Sequence, residues 1–323
     1  MGAQRKPLLG STDIRCLAHE LGIKPTKKLG QNFVIEPSAV RKIVADSAVA
    51  AGTRVLEVGP GLGSLTLALL EAGAYVSAIE IDSALARHLP STIEQHQPQA
   101  LGRFALLESD ALAITSAHML AVPPELAPGL SLSKRQQALH NAYRYENSYA
   151  DSDSSRAWNM PYQPTHLVAN LPYNVAVPVL LALLSAVPSL REVTVMVQAE
   201  VADRLAARAG SRIYGVPSVK LAWFGQARKG DRISRQVFWP VPNVDSALVH
   251  VQLYRSGSAA HPLYDGIYDC DTRERVFHIV DAAFSQRRKT QRFFGTLTAR
   301  QLQERARLST TPQWVALVLL TSL

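Results

Sequence analysis

Alternating strand and helix patterns, with a polar residue or a glycine closing four of the strands, predict an α/β protein built on a parallel sheet. Helical patterning that resumes beyond a Ser256-Gly257-Ser258 linker predicts a small all-helical C-terminal domain. At 323 residues, 47% hydrophobic and 19% charged, the chain can bury one large core and a smaller second one. The expected domains are 1–255 and 256–323.

Residues 1–10 carry no pattern. Ser11 is placed to cap a short helix through Leu21, stopped by Gly22. Basic residues Lys24, Lys27 and Lys28 then precede Gly30-Gln31-Asn32-Phe33, and a helix over 37–51 leads to a first strand over 54–58. The apolar density of Leu65-Thr66-Leu67-Ala68-Leu69-Leu70 predicts a buried helix, stopped by Gly73. A second strand covers 75–81, a helix opens over 83–88, and a third strand over 104–107 runs into Glu108-Ser109-Asp110.

Periodicity fails from about 113 to 164, where Pro123-Pro124, Pro128 and Asp151-Ser152-Asp153-Ser154-Ser155 predict a flexible insertion with one helical piece near 134–145. The fourth strand, Leu167-Val168-Ala169, restores the alternation, followed by a helix near 177–186. A strand over 193–197, a helix over 199–208 and strands near 219–227 and 247–253 complete the sheet. From 271 onward the pattern is helical.

A net charge of +8 and a pI near 9.6 point to a polyanionic partner, since counterion release drives basic surfaces onto nucleic acid. The only cysteines, Cys16 and Cys270, offer no CxxC spacing, so neither a structural zinc site nor a disulfide scaffold is expected. No apolar run reaches transmembrane length and no signal-peptide core is present, so a cytoplasmic monomer that avoids membranes is expected.

The chemistry sits at the strand ends. The first strand runs into Glu57-Val58-Gly59-Pro60-Gly61-Leu62-Gly63, a loop whose glycines let backbone approach a ligand. The dinucleotide fingerprint fails, because Ser64 stands where its third glycine belongs. The second strand ends in Glu80, about 20 residues past the loop, where an acid can hold ribose hydroxyls. The third leads to Asp110, placed to accept from an adenine amino group.

The fourth strand closes in Asn170-Leu171-Pro172-Tyr173. Pro172 has no N–H and pushes Leu171 towards an extended conformation, which frees the Leu171 carbonyl to point into a site. Asn170 offers a second acceptor, and Tyr173 can stack on a flat base. Taken alone, the tetrapeptide equally suits a helix start with Asn as cap and Pro in the first turn. For any one acid alone, a solvated loop charge is the better reading. For four such ends in register it is not, because ligands of open α/β sheets bind at the carboxyl edge.

This arrangement resembles the Rossmann-like class I S-adenosylmethionine-dependent methyltransferases, and within them the ribosomal RNA adenine dimethyltransferases of the KsgA type. The matching segments are Leu29-Gly30-Gln31-Asn32-Phe33, the glycine loop, Glu80-Ile81-Asp82 and Asn170-Leu171-Pro172-Tyr173-Asn174. Val241-Pro242-Asn243-Val244-Asp245-Ser246-Ala247 and Ala283-Phe284-Ser285-Gln286-Arg287-Arg288-Lys289-Thr290 add two more. The resemblance implies S-adenosylmethionine as cofactor. Asn32 and Val34 would border its pocket, Gly59 and Gly61 pack against it, Glu80 hold the ribose and Asp110 hold the adenine. Asn170 would sit between cofactor and substrate. The segment between Asp110 and Asn170 is far longer than is usual for the family.

The implied activity is dimethylation of two adjacent adenosines at N6, in a hairpin loop near the 3′ end of 16S ribosomal RNA, during small-subunit assembly. Asn170, Leu171, Pro172 and Tyr173 would carry catalysis: the Asn170 amide oxygen and the Leu171 carbonyl accept from N6, and Tyr173 stacks on the base. Phe33 would close the opposite side. The base must be flipped out or unpaired to enter such a pocket. Arg287, Arg288, Lys289 and Arg292 form a cluster suited to RNA phosphates, although charge runs are usually solvated helix faces. The alternatives are a macrolide-resistance-type enzyme acting on large-subunit RNA, a non-enzymatic RNA-binding assembly factor and, more weakly, a small-molecule methyltransferase.

Overall fold

In the computed structural model, which describes residues 7–23, 32–126, 162–254 and 270–285, the chain opens with α1 (Ser11–Glu20). Gly10 is its cap, and the Asp13 carboxylate accepts from the Gly10 N–H at 2.8 Å, so Ser11 is the first helical residue instead of the expected cap. A two-residue strand β1 (Phe33–Val34) precedes α2 (Pro37–Asp46), which starts on proline and stops short of the expected residue 51. Then come β2 (Arg54–Val58), α3 (Ser64–Glu71), buried at every residue but the exposed Glu71, and β3 (Tyr75–Glu80). Next, α4 (Ser83–His96) is capped by the Asp82 carboxylate on the Ala84 and Leu85 N–H groups and runs through Pro90.

β4 (Phe104–Glu108) leads into three short 3₁₀ turns. After residue 161 the chain resumes with β5 (His166–Asn170), α5 (Ala176–Ala186), β6 (Glu192–Gln198) and α6 (Ala199–Leu205). The last elements are α7 (Val216–Phe224), β7 (Gly225–Ile233), β8 (Phe238–Trp239), β9 (Ser246–Leu253) and α8 (Cys270–Ser285).

Among the described residues seven strands share one sheet in the order β4-β3-β2-β5-β6-β9-β7, and β1 pairs with β8 in a separate antiparallel ribbon. The strands β4 through β6 of that order run parallel, with Val58 beside Ile79, Glu80 beside Glu108 and Asn170 beside Met196. Strand order reverses between β2 and β5, so the connections leave in opposite directions and open a crevice at the carboxyl edge. No helix among the described residues is long and apolar enough to cross a membrane.

The chain divides into two compact units, Met1–Ala199 with Gly230–His250, and Glu200–Lys229 with Val251–Leu323. Residues 200–229, expected in the first domain, therefore group with the C-terminal helix. The reason lies in the second unit's own core. Val219 and Trp223 of α7 pack with Val276 and Val280 of α8, and the Phe277 ring meets Trp223 edge-on at 6.1 Å. Lys220 adds an ion pair to Asp281 at 2.8 Å. The strand expected over 219–227 is thus a helix up to Phe224: a segment buried on several sides has no helical stripe to read, and Val, Trp and Phe mimic a strand.

The stretch expected as an insertion is structured at both ends. Ile114 and Leu120 are buried, and so is Tyr162, whose hydroxyl lies 3.1 Å from the Val55 carbonyl and 2.9 Å from that of Tyr75. Residues 127–161, including the expected helical piece, lie outside the described residues. Tyr162 thus ties the returning chain across β2 and β3 before β5 begins. Tyr162→Phe removes that buried donor and should cost about 1–2 kcal/mol in urea unfolding. An unchanged midpoint and slope would make the anchor dispensable.

Candidate active site

A cavity of about 210 Å³ opens at the carboxyl edge of the first unit's sheet. Its walls include all ten residues expected there: Asn32, Val34, Gly59, Gly61, Glu80, Asp110, Asn170, Leu171, Pro172 and Tyr173. The basic residues Arg287, Arg288, Lys289 and Arg292 lie outside the described residues, as do Leu29, Gly30 and Gln31.

The glycine loop shapes the floor. Gly61 and Gly63 take φ of +58° and +99°, which side-chain-bearing residues rarely adopt. A Cβ on Gly61 would stand 3.1 Å from the Phe33 ring, and one on Gly63 only 2.7 Å from Leu89. This tight turn aims the Gly61 N–H at Glu80 Oε2, 3.0 Å away, while the Asp82 N–H donates to Oε1 at 3.0 Å. Glu80 is only 5% exposed, and burial raises its pKa against the pull of those two donors. Ser64, in place of the dinucleotide fingerprint's third glycine, donates its hydroxyl to the Val34 carbonyl at 2.7 Å. That bond fastens β1 over the loop. The Phe33 ring is buried against the space above Gly61 and stacks on Trp239 at 6.4 Å, so it braces the loop in addition to lining the cavity.

The other wall is the end of β5. Asn170 Nδ2 donates to the Asn32 carbonyl at 3.1 Å, which leaves Oδ1 as the amide's acceptor. The Leu171 N–H continues the parallel ladder onto Met196, while its side chain is buried. The Pro172 carbonyl accepts from Val175 and turns the chain into α5. The Asn-Leu-Pro-Tyr segment therefore walls the site and leads toward the helix, but it is not the helix start: α5 begins at Ala176 with Val175 as its cap, so Asn170 is no cap and Pro172 lies ahead of the first turn. The Tyr173 hydroxyl lies 2.7 Å from Ser246 Oγ at the start of β9. Asp110, at the far rim, caps a 3₁₀ turn through the Leu112 N–H at 2.9 Å.

Three features escape sequence reasoning. Ile81 and Leu112 flank the Asp110 end of the cavity and expose 57% and 44% of their surface, an apolar pair suited to the faces of a flat ring. Ser246 reaches the site only through Tyr173. Glu57 also lines the cavity, is 1% exposed, and its Oε2 has no hydrogen-bond partner among the described residues. Burial lifts the Glu57 pKa from the ordinary 4.5 to about 8 against the opposing pull of the Thr66 hydroxyl, and the nearby Glu80 carboxylate adds to the rise. Its strand position, one before the glycine loop's Val58, was the available signal.

A carboxyl that is neutral in the fold and ionised when unfolded makes the native state bind an extra proton between pH 4.5 and about 8. Stability should fall as pH rises through that window. Glu57→Gln removes the titration, so the variant should match wild type near pH 4.5 and exceed it in thermal midpoint above pH 8. Equal midpoints at pH 8 would mean that the carboxylate is solvated or paired.

Comparisons with known proteins agree with this geometry. The family profile described as ribosomal RNA adenine dimethylase matches residues 22–269. A protein of Bifidobacterium longum, named Ribosomal RNA small subunit methyltransferase A, is 49% identical over 88% of this chain and 80% of its own. One of the same name from Leifsonia xyli is 50% identical over 88% of this chain and 83% of its own. Among solved structures, a Plasmodium falciparum dimethyladenosine transferase matches with TM-score 0.52 and 20% identity over 78% of this chain and 70% of that one. The 23S rRNA methyltransferase ErmE matches with TM-score 0.50 and 20% identity over 79% of both chains. These two likenesses speak to the fold, that of class I methyltransferases. With its profile spanning most of the sequence and relatives near one-half identity, the chain belongs to the ribosomal RNA adenine dimethylase family.

Proposed function

We propose that this chain uses S-adenosylmethionine to dimethylate the N6 amines of two adjacent adenosines in a hairpin loop near the 3′ end of 16S ribosomal RNA, during assembly of the small subunit. One observation carries the reading: Asn170, oriented by the Asn32 carbonyl, stands in the same cavity as Glu80 and the glycine loop. An acceptor for an amine and a grip for a nucleoside thus share one chamber. The relatives at 49–50% identity are named for the small subunit, which favours that target over large-subunit RNA.

The residues fit the cofactor by their own chemistry. Both Glu80 oxygens keep lone pairs beyond their backbone donors and can accept from ribose hydroxyls. Ile81 and Leu112 can sandwich an adenine whose amino group meets Asp110. Glu57 Oε2, without a partner among the described residues, suits a cationic group, whose approach would favour the ionised carboxylate. When bound, S-adenosylmethionine supplies an electrophilic methyl group on a sulfonium.

The protein's task is then placement. An adenine N6 lone pair is delocalised into the ring, so the amine is a poor nucleophile. Asn170 Oδ1 and the Leu171 carbonyl, accepting the two N6 protons, favour a more pyramidal nitrogen with a localised lone pair. Tyr173 stacks on the base and sets its plane. Orientation of this kind supplies much of the rate, and no strong base is required, because the alkylated nitrogen is acidic enough to release its proton to water. Among substrates, unpaired loop adenosines need the least unstacking to enter.

Labelled methyl transfer to unmodified small subunits, mapped by primer extension, tests the proposal. Two neighbouring 16S adenosines should gain label, and modification of 23S RNA alone would overturn it. Glu80→Ala should weaken cofactor binding by about 1.5–3 kcal/mol in calorimetry, the worth of hydrogen bonds to a charged group. Unchanged affinity would remove Glu80 from the ribose site.

We assign the phosphate contacts to Arg287, Arg288, Lys289 and Arg292 on their charge and their place in the family pattern. Neutralising the first three should lower the salt slope of RNA binding by roughly two to three units, at about 0.7–0.9 per phosphate contact. An identical slope would leave them a solvated face.

A further inference from the structure

The segment from Val241 to Ala247 matches the family pattern, yet nothing above gives it work in the reaction. Its end is held with unusual care. Asp245 Oδ1 accepts from the Arg235 N–H at 3.1 Å and Oδ2 pairs with the Arg232 guanidinium at 3.2 Å. The Asp245 carbonyl accepts from the Ala199 N–H at 2.9 Å. These three bonds fix the backbone at the residue immediately before Ser246, which opens β9 and is 0% exposed. The Ser246 hydroxyl meets the Tyr173 hydroxyl at 2.7 Å. Ser246 does not line the cavity, whereas Tyr173 does.

We propose that Ser246 is a positioning residue: its hydroxyl, anchored at the start of β9, holds the Tyr173 ring at the angle at which the target base stacks. Tyr173 is half-buried, so its ring has room to swing about two side-chain torsions unless its far end is tied. A hydrogen bond at the para position ties it, and it does so from outside the chamber, leaving the ring face to the base. The bond also lies in a partly apolar setting, where it is stronger than in water. The inference rests on Tyr173 being the stacking surface proposed above. On this reading Tyr173→Phe keeps the ring and loses the anchor.

Wild type, Ser246→Ala, Ser246→Thr, Tyr173→Phe and the Ser246→Ala/Tyr173→Phe double variant should be compared in single-turnover methyl transfer to unmodified small subunits. Cofactor affinity by calorimetry and thermal midpoints provide the parallel readouts. Ser246→Ala and Tyr173→Phe should each slow transfer at saturating subunit by roughly tenfold, the loss of one hydrogen bond's worth of orientation. Cofactor affinity and the half-saturating subunit concentration should each change less than about threefold. The double variant should be no slower than the slower single variant, because both remove the same bond. Ser246→Thr, which keeps a hydroxyl, should recover most of the rate.

Wild-type transfer by Ser246→Ala, or losses that multiply to about a hundredfold in the double variant, would overturn the positioning role while leaving the function intact. If Ser246→Ala does not fold, Tyr173→Phe, which breaks the bond from its exposed side, decides alone: an undiminished rate refutes the anchor. Absence of transfer by wild type would overturn both the function and this inference.

Discussion

Parallel pairing of β2 with β3 on one side and with β5 on the other decides where everything else in the site can stand. A parallel ladder forces each strand to finish at the same edge, so the glycine loop, Glu80 and Asn170 arrive together although they are far apart in sequence. Because order reverses at that pair, no crossover covers the edge there. The crevice is therefore a consequence of topology before any side chain is chosen. Side chains then narrow it: Ser64 and Asn170 each bond a carbonyl of the 32–34 segment, and the β1–β8 ribbon is drawn over the loop.

Those two bonds also explain why polar residues at the site are double-purposed. The Asn170 amide uses its donor to hold Asn32, which under the proposed function leaves its acceptor for a substrate amine. Glu80 uses one lone pair on each oxygen for a backbone N–H and retains others. A wall whose polar groups are half satisfied by the protein is rigid without a ligand and still hungry for one. Such preorganisation is what positioning catalysis requires, since the reorganisation is complete before substrate arrives.

Much of this was legible in the sequence, and what was missed has a common cause. Strand ends announce themselves through local signals: a short, nearly continuous apolar run, then Gly59, Glu80 or Asn170. The helix over 216–224 did not, because burial on several sides erases the amphipathic stripe on which helix reading depends. The roles of Ser64, Tyr162 and Ser246 were hidden for another reason. Each is a hydroxyl bonded to a group 30 or more residues away, and a long-range bond leaves no periodic trace. The packed ends of the long segment, at Ile114, Leu120 and Tyr162, were masked by the prolines and serines between them.

Glu57 and Glu80 show how such a site differs from an ordinary core. Two carboxyls share one largely apolar chamber, and the Glu80 carboxylate raises the cost of ionising Glu57. Glu80 is compensated by two backbone donors, whereas Glu57 keeps an oxygen without a partner among the described residues. In a core built for stability alone, an apolar residue of similar volume at Glu57 would be the better choice. Its presence beside the glycine loop fits the proposed function, in which a cationic cofactor completes the chamber. Under the proposed function a cationic ligand beside the two acids would be attracted to both, and its approach would favour the ionised form of Glu57. The same logic explains the position of Glu57 within β2 instead of a loop: a carboxyl oxygen left without a partner needs a rigid frame, or it would turn to water.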